Sequence, residues 1–236
     1  MNIKNINGLE SLKGEFEAEG LTREQVSIEK IISSANSLDY LVKVGGCEAK
    51  SDIDFLQSIQ VKSVVAPMIE SRFAMRKYMG LIEHSSFENV GVTIETITAV
   101  KNISAILDEG HRLTEVTVGR SDLSASAGEA NVNSDKVINM TKDVGKEAKK
   151  RGLSFTMGGS INQATIDRLK SDHELFDLID FVETRKCVLD KRLFLESDLL
   201  KTAFEVERYL LSLKNDVAKR IVSESESRIK QLSKRS

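Results

Sequence analysis

Short apolar runs alternate along the chain with longer stretches in which apolar residues recur at helical spacing. The runs cover residues 14–20, 39–46, 61–71, 89–96, 113–124, 152–159 and 178–188. Their Val, Ile, Phe and Thr content predicts buried strands. Between them, helical patterns span Thr22–Ser34, Ser51–Gln57, Arg72–Leu81, Ala99–Asp108, Ser134–Arg151 and Gln163–Lys170. Strand and helix in regular alternation imply parallel βαβ units. Seven strand signals exceed a small open sheet and fall one short of an eight-stranded (β/α)8 barrel of the TIM type. The eighth strand has no clear signature; it either precedes Gly14 or is degenerate, as a degenerate first strand would be. From Glu196 to Gln231 the pattern is helical and charged. Leu199, Ala203, Val206, Leu210, Leu213 and Val217 form one stripe, longer than a barrel wall covers. The division expected is a barrel over residues 1–193 and a C-terminal helical extension over 194–236. The long stripe predicts a homo-oligomer assembled through that helix.

Composition adds exclusions. The chain has 236 residues, of which 40% are hydrophobic, enough for one sizeable core. Lys and Arg number 34 against 36 Asp and Glu, so nothing calls for nucleic acid or an acidic membrane as partner. No apolar run reaches membrane-spanning length, and the N-terminal stretch lacks the apolar core of a signal peptide. Cys47 and Cys187 stand apart, without metal-ligand spacing, which fits reduced thiols in the cytoplasm.

In a barrel of this kind the chemistry sits at the C-terminal ends of the strands. Read at those ends, the runs supply Glu17 and Glu19, Lys43, Glu70, Glu95, Arg120 with Asp122, the Gly158–Gly159–Ser160 turn, and Glu183 with Arg185 and Lys186. Glu95 follows Val90–Ile94, and Asp122 ends the next run. Neighbouring parallel strands lie about 4.8 Å apart, so the two carboxylates can share one hard cation such as Mg²⁺ or Mn²⁺. Each has a plainer reading: Glu95 as an acid at a helix N-terminus, Asp122 as a helix cap. Their pairing on successive strands favours the ion. Lys43 serves either as an electrostatic group or, with a lowered pKa, as a Schiff-base nucleophile; the neighbouring carboxylates favour the former. The Gly158–Ser160 turn cradles an anion or is a simple capped turn. Arg185 holds an anionic substrate tail or is solvated. Cys187 reads as a small buried residue, and Pro67 and Met68 as packing at a strand exit.

Three segments, VAPMIESRFAMRKYM (65–79), GVTIETITAVKNISAIL (91–107) and VTVGRSDLSASAG (116–128), resemble successive blocks of the citrate lyase β-subunit and hydroxy-oxo-acid (HpcH/HpaI-type) aldolase family, in the phosphoenolpyruvate/pyruvate-binding barrel superfamily. The resemblance runs from about Lys13 to Asp190. It implies that Glu95 and Asp122 hold Mg²⁺ or Mn²⁺, and that the ion chelates an oxo acid or acyl carboxylate and stabilises an enolate as a C–C bond breaks or forms. Lys43, Glu19 and Glu17 are then the candidate catalytic groups. Arg120, Ser124, Gly158, Gly159, Ser160 and Arg185 are the candidate substrate contacts. The departures from the family pattern are specific. Lys43 stands where the family has Arg, keeping the charge without the bidentate fork. Gly20 stands in place of the aldolase His, and Ser58 near its supporting Asp. The base then falls to Glu17, Glu19, Glu48 or a metal-bound water. A non-catalytic barrel that binds a small carboxylate and metal is the alternative.

Overall fold

A computed structural model describes residues 3–17 and 19–232. After a 3₁₀ turn at Ile3–Asn5, the order is β1 (Leu9–Glu15), α1 (Arg23–Ala35), β2 (Asp39–Lys43), α2 (Lys50–Ser58), β3 (Ser63–Ala66), α3 (Arg72–Ile82), β4 (Asn89–Ile94), α4 (Ile97–Lys101) and α5 (Ile103–Asp108). There follow β5 (Glu115–Gly119), α6 (Arg120–Ser126), α7 (Asp135–Lys150), β6 (Ser154–Gly158), α8 (Gln163–Ser171), α9 (His173–Leu178), β7 (Phe181–Thr184), β8 (Cys187–Asp190), α10 (Lys191–Glu196) and α11 (Leu199–Leu232). The eight strands close into one barrel in sequence order.

The first strand is not degenerate. β1 begins at Leu9, five residues before the expected start, and pairs along its length with β2. The strand without a signature of its own is the last. The run 178–188 splits into β7 and β8 around Thr184–Arg185–Lys186–Cys187, with Arg185 in the left-handed region at φ 56°. β8 therefore runs antiparallel to both β7 and β1 and closes the barrel as a hairpin arm. Two elements of four residues with a basic turn between them read in sequence as one run. The run 14–20 likewise yields a strand only to Glu15; the chain then turns, and Ala18 lies outside the described residues. Run 113–124 stops being a strand at Gly119, so Arg120, Asp122 and Ser124 sit on the first turns of α6. The expected helix 99–108 is two short helices meeting at Asn102.

Alternation along each strand sorts side chains onto two surfaces. The outward-facing residues, such as Leu12, Val42, Val64, Val92, Val116, Phe155 and Val182, pack under the helices in one continuous core. The inward surface is largely polar. Its apolar content is a separate small cluster of Leu41, Val65 and Val188, with Phe181 packed against it.

α11 starts at the N-terminal end of the barrel, where Leu199 packs near Gly8, and reaches the opposite end at Glu207, which lines the cavity there. Leu199, Ala203, Val206 and Leu210 of the expected stripe are buried against the helix's own barrel, while Val217 is exposed. Asn215–Leu232 then extends away for roughly 27 Å at 1.5 Å per residue, with Ile221 and Val222 exposed. Residues 233–236 of the expected extension lie outside the described residues. No described helix is long and apolar enough to cross a membrane.

One buried carboxylate fastens α11 to the barrel. Glu29 on α1 is wholly buried. It accepts a hydrogen bond from the Tyr40 hydroxyl at 2.8 Å and pairs at 2.9 Å with both Lys186, in the β7–β8 turn, and Lys214, on α11. Gly14 makes room for this arrangement: a Cβ there would lie 2.2 Å from the Tyr40 oxygen. Removing one partner of a buried ion cluster strands the others. Glu29→Ala is expected to cost about 3–5 kcal/mol in urea unfolding, whereas Lys50→Ala, which breaks an exposed pair with Asp54, changes stability by well under about 1 kcal/mol.

Candidate active site

The C-terminal ends of the strands open into a cavity of about 440 Å³. Glu15, Glu19, Glu95, Asp122, Glu183 and Glu207 line it, against the cations Lys13, Lys43 and Arg185. The carboxylates outnumber the cations, so an anionic ligand entering alone meets a net repulsive field.

The charges are arranged in alternation across the mouth. Lys13 on β1 pairs with Glu183 on β7 and with Glu15 on its own strand. Lys43 at the end of β2 sits 3.7 Å from Glu15 and 3.5 Å from Glu95. The order Glu183–Lys13–Glu15–Lys43–Glu95 thus spans β7 to β4 through strands β1 and β2. Burial works against the Lys13 ammonium, but Glu183 and Glu15 overcome it and hold its pKa above the ordinary lysine value. Burial likewise opposes ionisation of Glu15, and Lys13 with Lys43 reverses the outcome, so Glu15 titrates below the usual range. Glu95 goes the other way. Burial raises it, Lys43 offsets part of the rise, and the Asp122 charge adds to it.

Glu95 is held by the main chain. Its Oε1 accepts from the Met68 N–H at 3.1 Å, and Met68 adopts φ 57° to present that group. Its Oε2 lies against Gly119, where a Cβ would come within 2.9 Å. Met68, Ser160 and Arg185, three of the five described non-glycine residues with positive φ, all lie at this end of the barrel. Such backbone strain gathers where a site is held in place by its surroundings.

Of the residues expected from sequence, Lys43, Glu19, Glu95, Asp122, Gly159, Ser160 and Arg185 line the cavity. Glu17 lines an adjoining hollow of about 320 Å³ beside Pro67 and Met68, which shares Glu15, Lys43 and Glu95 with the main cavity. Arg120 and Ser124 do not line the cavity. Arg120 is fully buried and donates to the carbonyls of Gly158 and Gly159, to Asn133 and to the Thr165 hydroxyl. Burial lowers its pKa to about 10, and its role is to clamp the loop after β6 onto α6. Gly159 lets that loop approach, since a Cβ would meet the Arg120 and Ser121 nitrogens at 2.5 Å. The Ser124 hydroxyl bonds the Ser121 carbonyl. Gly158 gives its carbonyl to Arg120 and does not line the cavity. Arg185 stacks on Phe204 of α11 at 4.6 Å and sits 3.7 Å from Glu207.

Sequence reasoning missed Lys13 and Glu15, because the first strand was placed too late. The alternation of Ser11, Lys13 and Glu15 with Leu12 and Gly14 was the available signal. None of the three histidines lines the mouth, and all are exposed. Cys187 is buried, and burial pushes its thiol up to about 12, which fits a packing residue.

Among the described residues no group of three or more His, Cys, Asp or Glu is gathered around one point. Two carboxylates on an open, carboxylate-rich cavity would fit a hard cation that keeps waters or substrate oxygens in its shell, and such an ion would offset the cost of ionising Glu95 beside Asp122.

Solved structures of similar fold include an HpcH/HpaI aldolase from Desulfitobacterium hafniense DCB-2, with 16% identity, TM-score 0.61, and 71% of this chain and 74% of that one covered. Citrate synthase SbnG gives 14% identity and TM-score 0.63, over 89% of this chain and 85% of that one. An HpcH/Hpal aldolase/citrate lyase family protein from Burkholderia cenocepacia J2315 gives 15% and 0.60, over 69% and 76%. At such identities the likeness concerns the fold. A search of curated proteins finds no match. The family model for HpcH/HpaI aldolase/citrate lyase matches residues 30–171, a span that takes in β2 through α8 with both Glu95 and Asp122. The chain belongs to the HpcH/HpaI aldolase/citrate lyase family.

Proposed function

We propose that the protein is a metal-dependent carbon–carbon lyase, of aldolase or citrate-lyase type, acting on an oxo acid or acyl carboxylate. Family membership supports lyase chemistry in general. The observation that carries the finer reading is the convergence of Glu95 and Asp122 on a cavity rich in carboxylates. Glu95 and Asp122 hold Mg²⁺ or Mn²⁺, which when bound acts as a Lewis acid on the substrate's oxygens and offsets enolate charge. Lys43 supplies a fixed positive charge beside Glu95. The backbone of Gly159 and the Ser160 hydroxyl face the substrate's polar end, and Arg185 takes a distal carboxylate. Glu19 is the proton acceptor at the rim: burial raises its pKa while Lys186, 2.5 Å away, limits the rise. The two free thiols support a cytoplasmic setting. The exposed apolar residues of the α11 extension support a homo-oligomer joined through it.

A second reading, a barrel that binds carboxylate and metal without turnover, draws on one observation: no described histidine reaches the mouth. The two readings part in D₂O. With Mg²⁺ present, a lyase of this type exchanges the methyl protons of pyruvate, followed by proton NMR. Binding seen by calorimetry with no exchange, and no cleavage across a panel of hydroxy-oxo acids, selects the second reading.

Glu95→Gln and Asp122→Asn are each expected to weaken Mn²⁺ binding by on the order of a hundredfold with the fold intact, since ligand charge sets affinity at such sites. Unchanged calorimetric affinity in both removes the ion from this position. Borohydride is expected to trap no pyruvate adduct on Lys43; a mass shift at that residue moves the protein to the Schiff-base class. Sedimentation is expected to show an oligomer that a chain ending at Lys214 cannot form, because that truncation keeps the packed half of α11 and deletes the extension.

A further inference from the structure

α11 lies outside residues 30–171, the span of the family match, yet it borders the mouth of the barrel. Glu207 lines the catalytic cavity. Beside that cavity, under α11, is a hollow of about 240 Å³ bordered by Glu19, Lys186, Glu207 and Lys214 over the apolar side chains of Leu21 and Leu210. Glu19 and Glu207 line both spaces, so the two adjoin.

Four charges of alternating sign run along this hollow from α11 to the rim. Lys214 Nζ donates to Glu29 Oε1 at 2.9 Å. Glu29 Oε2 accepts from the Tyr40 hydroxyl at 2.8 Å and faces Lys186 Nζ at 2.9 Å. Lys186 Nζ in turn donates to Glu19 Oε2 at 2.5 Å. The Lys186 and Lys214 side chains are 4% and 10% exposed and that of Glu29 is 1% exposed, so water and salt screen these attractions weakly. One ammonium, Lys186, is shared between two carboxylates. Glu29 holds it from inside and Glu19 from the rim of the catalytic cavity.

We propose that Lys214 is a positioning residue for Glu19: by pairing with Glu29 from α11 it leaves the Lys186 ammonium available to Glu19, so the seating of the C-terminal helix sets how firmly the rim carboxylate holds a proton. Without the Lys214 charge, Glu29 keeps only Lys186 and Tyr40, and Lys186 is drawn from Glu19 towards the buried carboxylate. The hollow borders Lys186 and leaves room for that movement. Three changes then act on Glu19 in one sense. A positive charge is lost, the Glu29 charge is less compensated, and the Lys186 bond weakens; each favours the protonated form. Removing the Glu29 charge instead acts in the opposite sense, because Lys186 then has Glu19 as its one carboxylate. The charged and titratable groups facing Glu19 are Lys186 and Arg185 in the β7–β8 turn, Glu29 on α1, Glu15 on β1, Tyr40 on β2, and Glu207 and Lys214 on α11. Burial raises the Glu19 pKa, Lys186 opposes the rise, and Glu29 and Glu15 add to it. The coupling belongs to the charges of this chain; that Glu19 takes up a proton during turnover rests on the proposed lyase reading.

The Glu19 carboxyl is followed directly by carbon NMR titration, its resonance assigned by its loss in Glu19→Gln. Lys214→Met, which keeps the packed stem, is expected to raise the titration midpoint. Lys214→Arg, which keeps the charge, is expected to leave it near the wild-type value, and Glu29→Gln to lower it. Tyr40→Phe keeps the buried ring and removes one donor to Glu29. It is expected to raise the midpoint without touching α11, so the sign is read even where Lys214→Met unseats the helix. An unmoved midpoint in both Lys214→Met and Tyr40→Phe overturns the coupling. A shift of the same sign in Lys214→Met and Glu29→Gln also overturns it, since simple loosening of α11 does that. Where wild type exchanges pyruvate protons, the acid limb of the kcat/KM profile is expected to move to higher pH in Lys214→Met and to lower pH in Glu29→Gln, with the plateau above it retained. On that limb Lys214→Met is then severalfold slower than wild type. A loss of rate at every pH with the limb unmoved marks a merely structural role and overturns the proposal. A wild type without exchange counts against the lyase reading alone, and the NMR titration then decides the coupling.

Discussion

The structure depends on the direction of its last strand. A parallel eighth strand would follow a helix and leave its C-terminal end at the mouth. Here β8 returns from β7 through a tight turn, so the mouth receives that turn instead, and the chain leaves the barrel at its opposite end. Two consequences follow. Arg185 and Lys186 are fixed at the mouth by backbone geometry, with the Lys186 carbonyl bonded to the Lys13 N–H at 2.9 Å. The chain must also climb the outside of the barrel once more, as α11, to cover the seam between β8 and β1. The Lys186 ammonium is driven into the layer between barrel and helix, and Glu29 and Glu19 together make its burial tolerable. By also binding Lys214, the same carboxylate ties the covering helix to the seam it covers.

A second constraint is the charged interior. Lys13, Glu15, Lys43, Glu95 and Glu183 cannot be buried singly, since an unpaired charge in such surroundings costs several kcal/mol. Alternation of sign lets each lysine serve two carboxylates. It also divides the site into unlike parts. Glu15, flanked by two ammoniums, stays ionised to low pH and is a weak base. Glu95 and Glu19 have less compensation, and their pKa values rise. Environment assigns different roles to identical side chains, as general acid–base chemistry requires.

The sequence made the barrel legible because outward-facing strand residues are apolar and recur with the intervening helices. The place of Glu95 and Asp122 at the mouth was legible because each ends or follows such a run. Lys13 and Glu15 were hidden by the same rule: β1 alternates polar with apolar, since its inner face lines a charged cavity, and a search for apolar runs starts too late on it. β8 was hidden by its shortness and by the merging of hairpin arms into one run. The position of Arg120 was not legible: a cation at a strand end reads as facing the mouth, but here it donates to the carbonyls of Gly158 and Gly159, and only the folded loop reveals that demand.

Lys43 shows how these constraints bear on chemistry. An arginine at that position would present a planar fork suited to one bidentate partner. The lysine ammonium is a compact charge that sits between Glu15 and Glu95 at comparable distances, 3.7 and 3.5 Å. It can move towards either without breaking a bidentate geometry, and towards a third negative charge if one forms in the cavity. The Lys13 ammonium already supports Glu15 from the other side, so a shift of Lys43 away from Glu15 leaves that carboxylate paired. The alternating order therefore gives one cation freedom to respond while the rest of the site keeps its charges balanced, which a site built around a single arginine clamp would not allow.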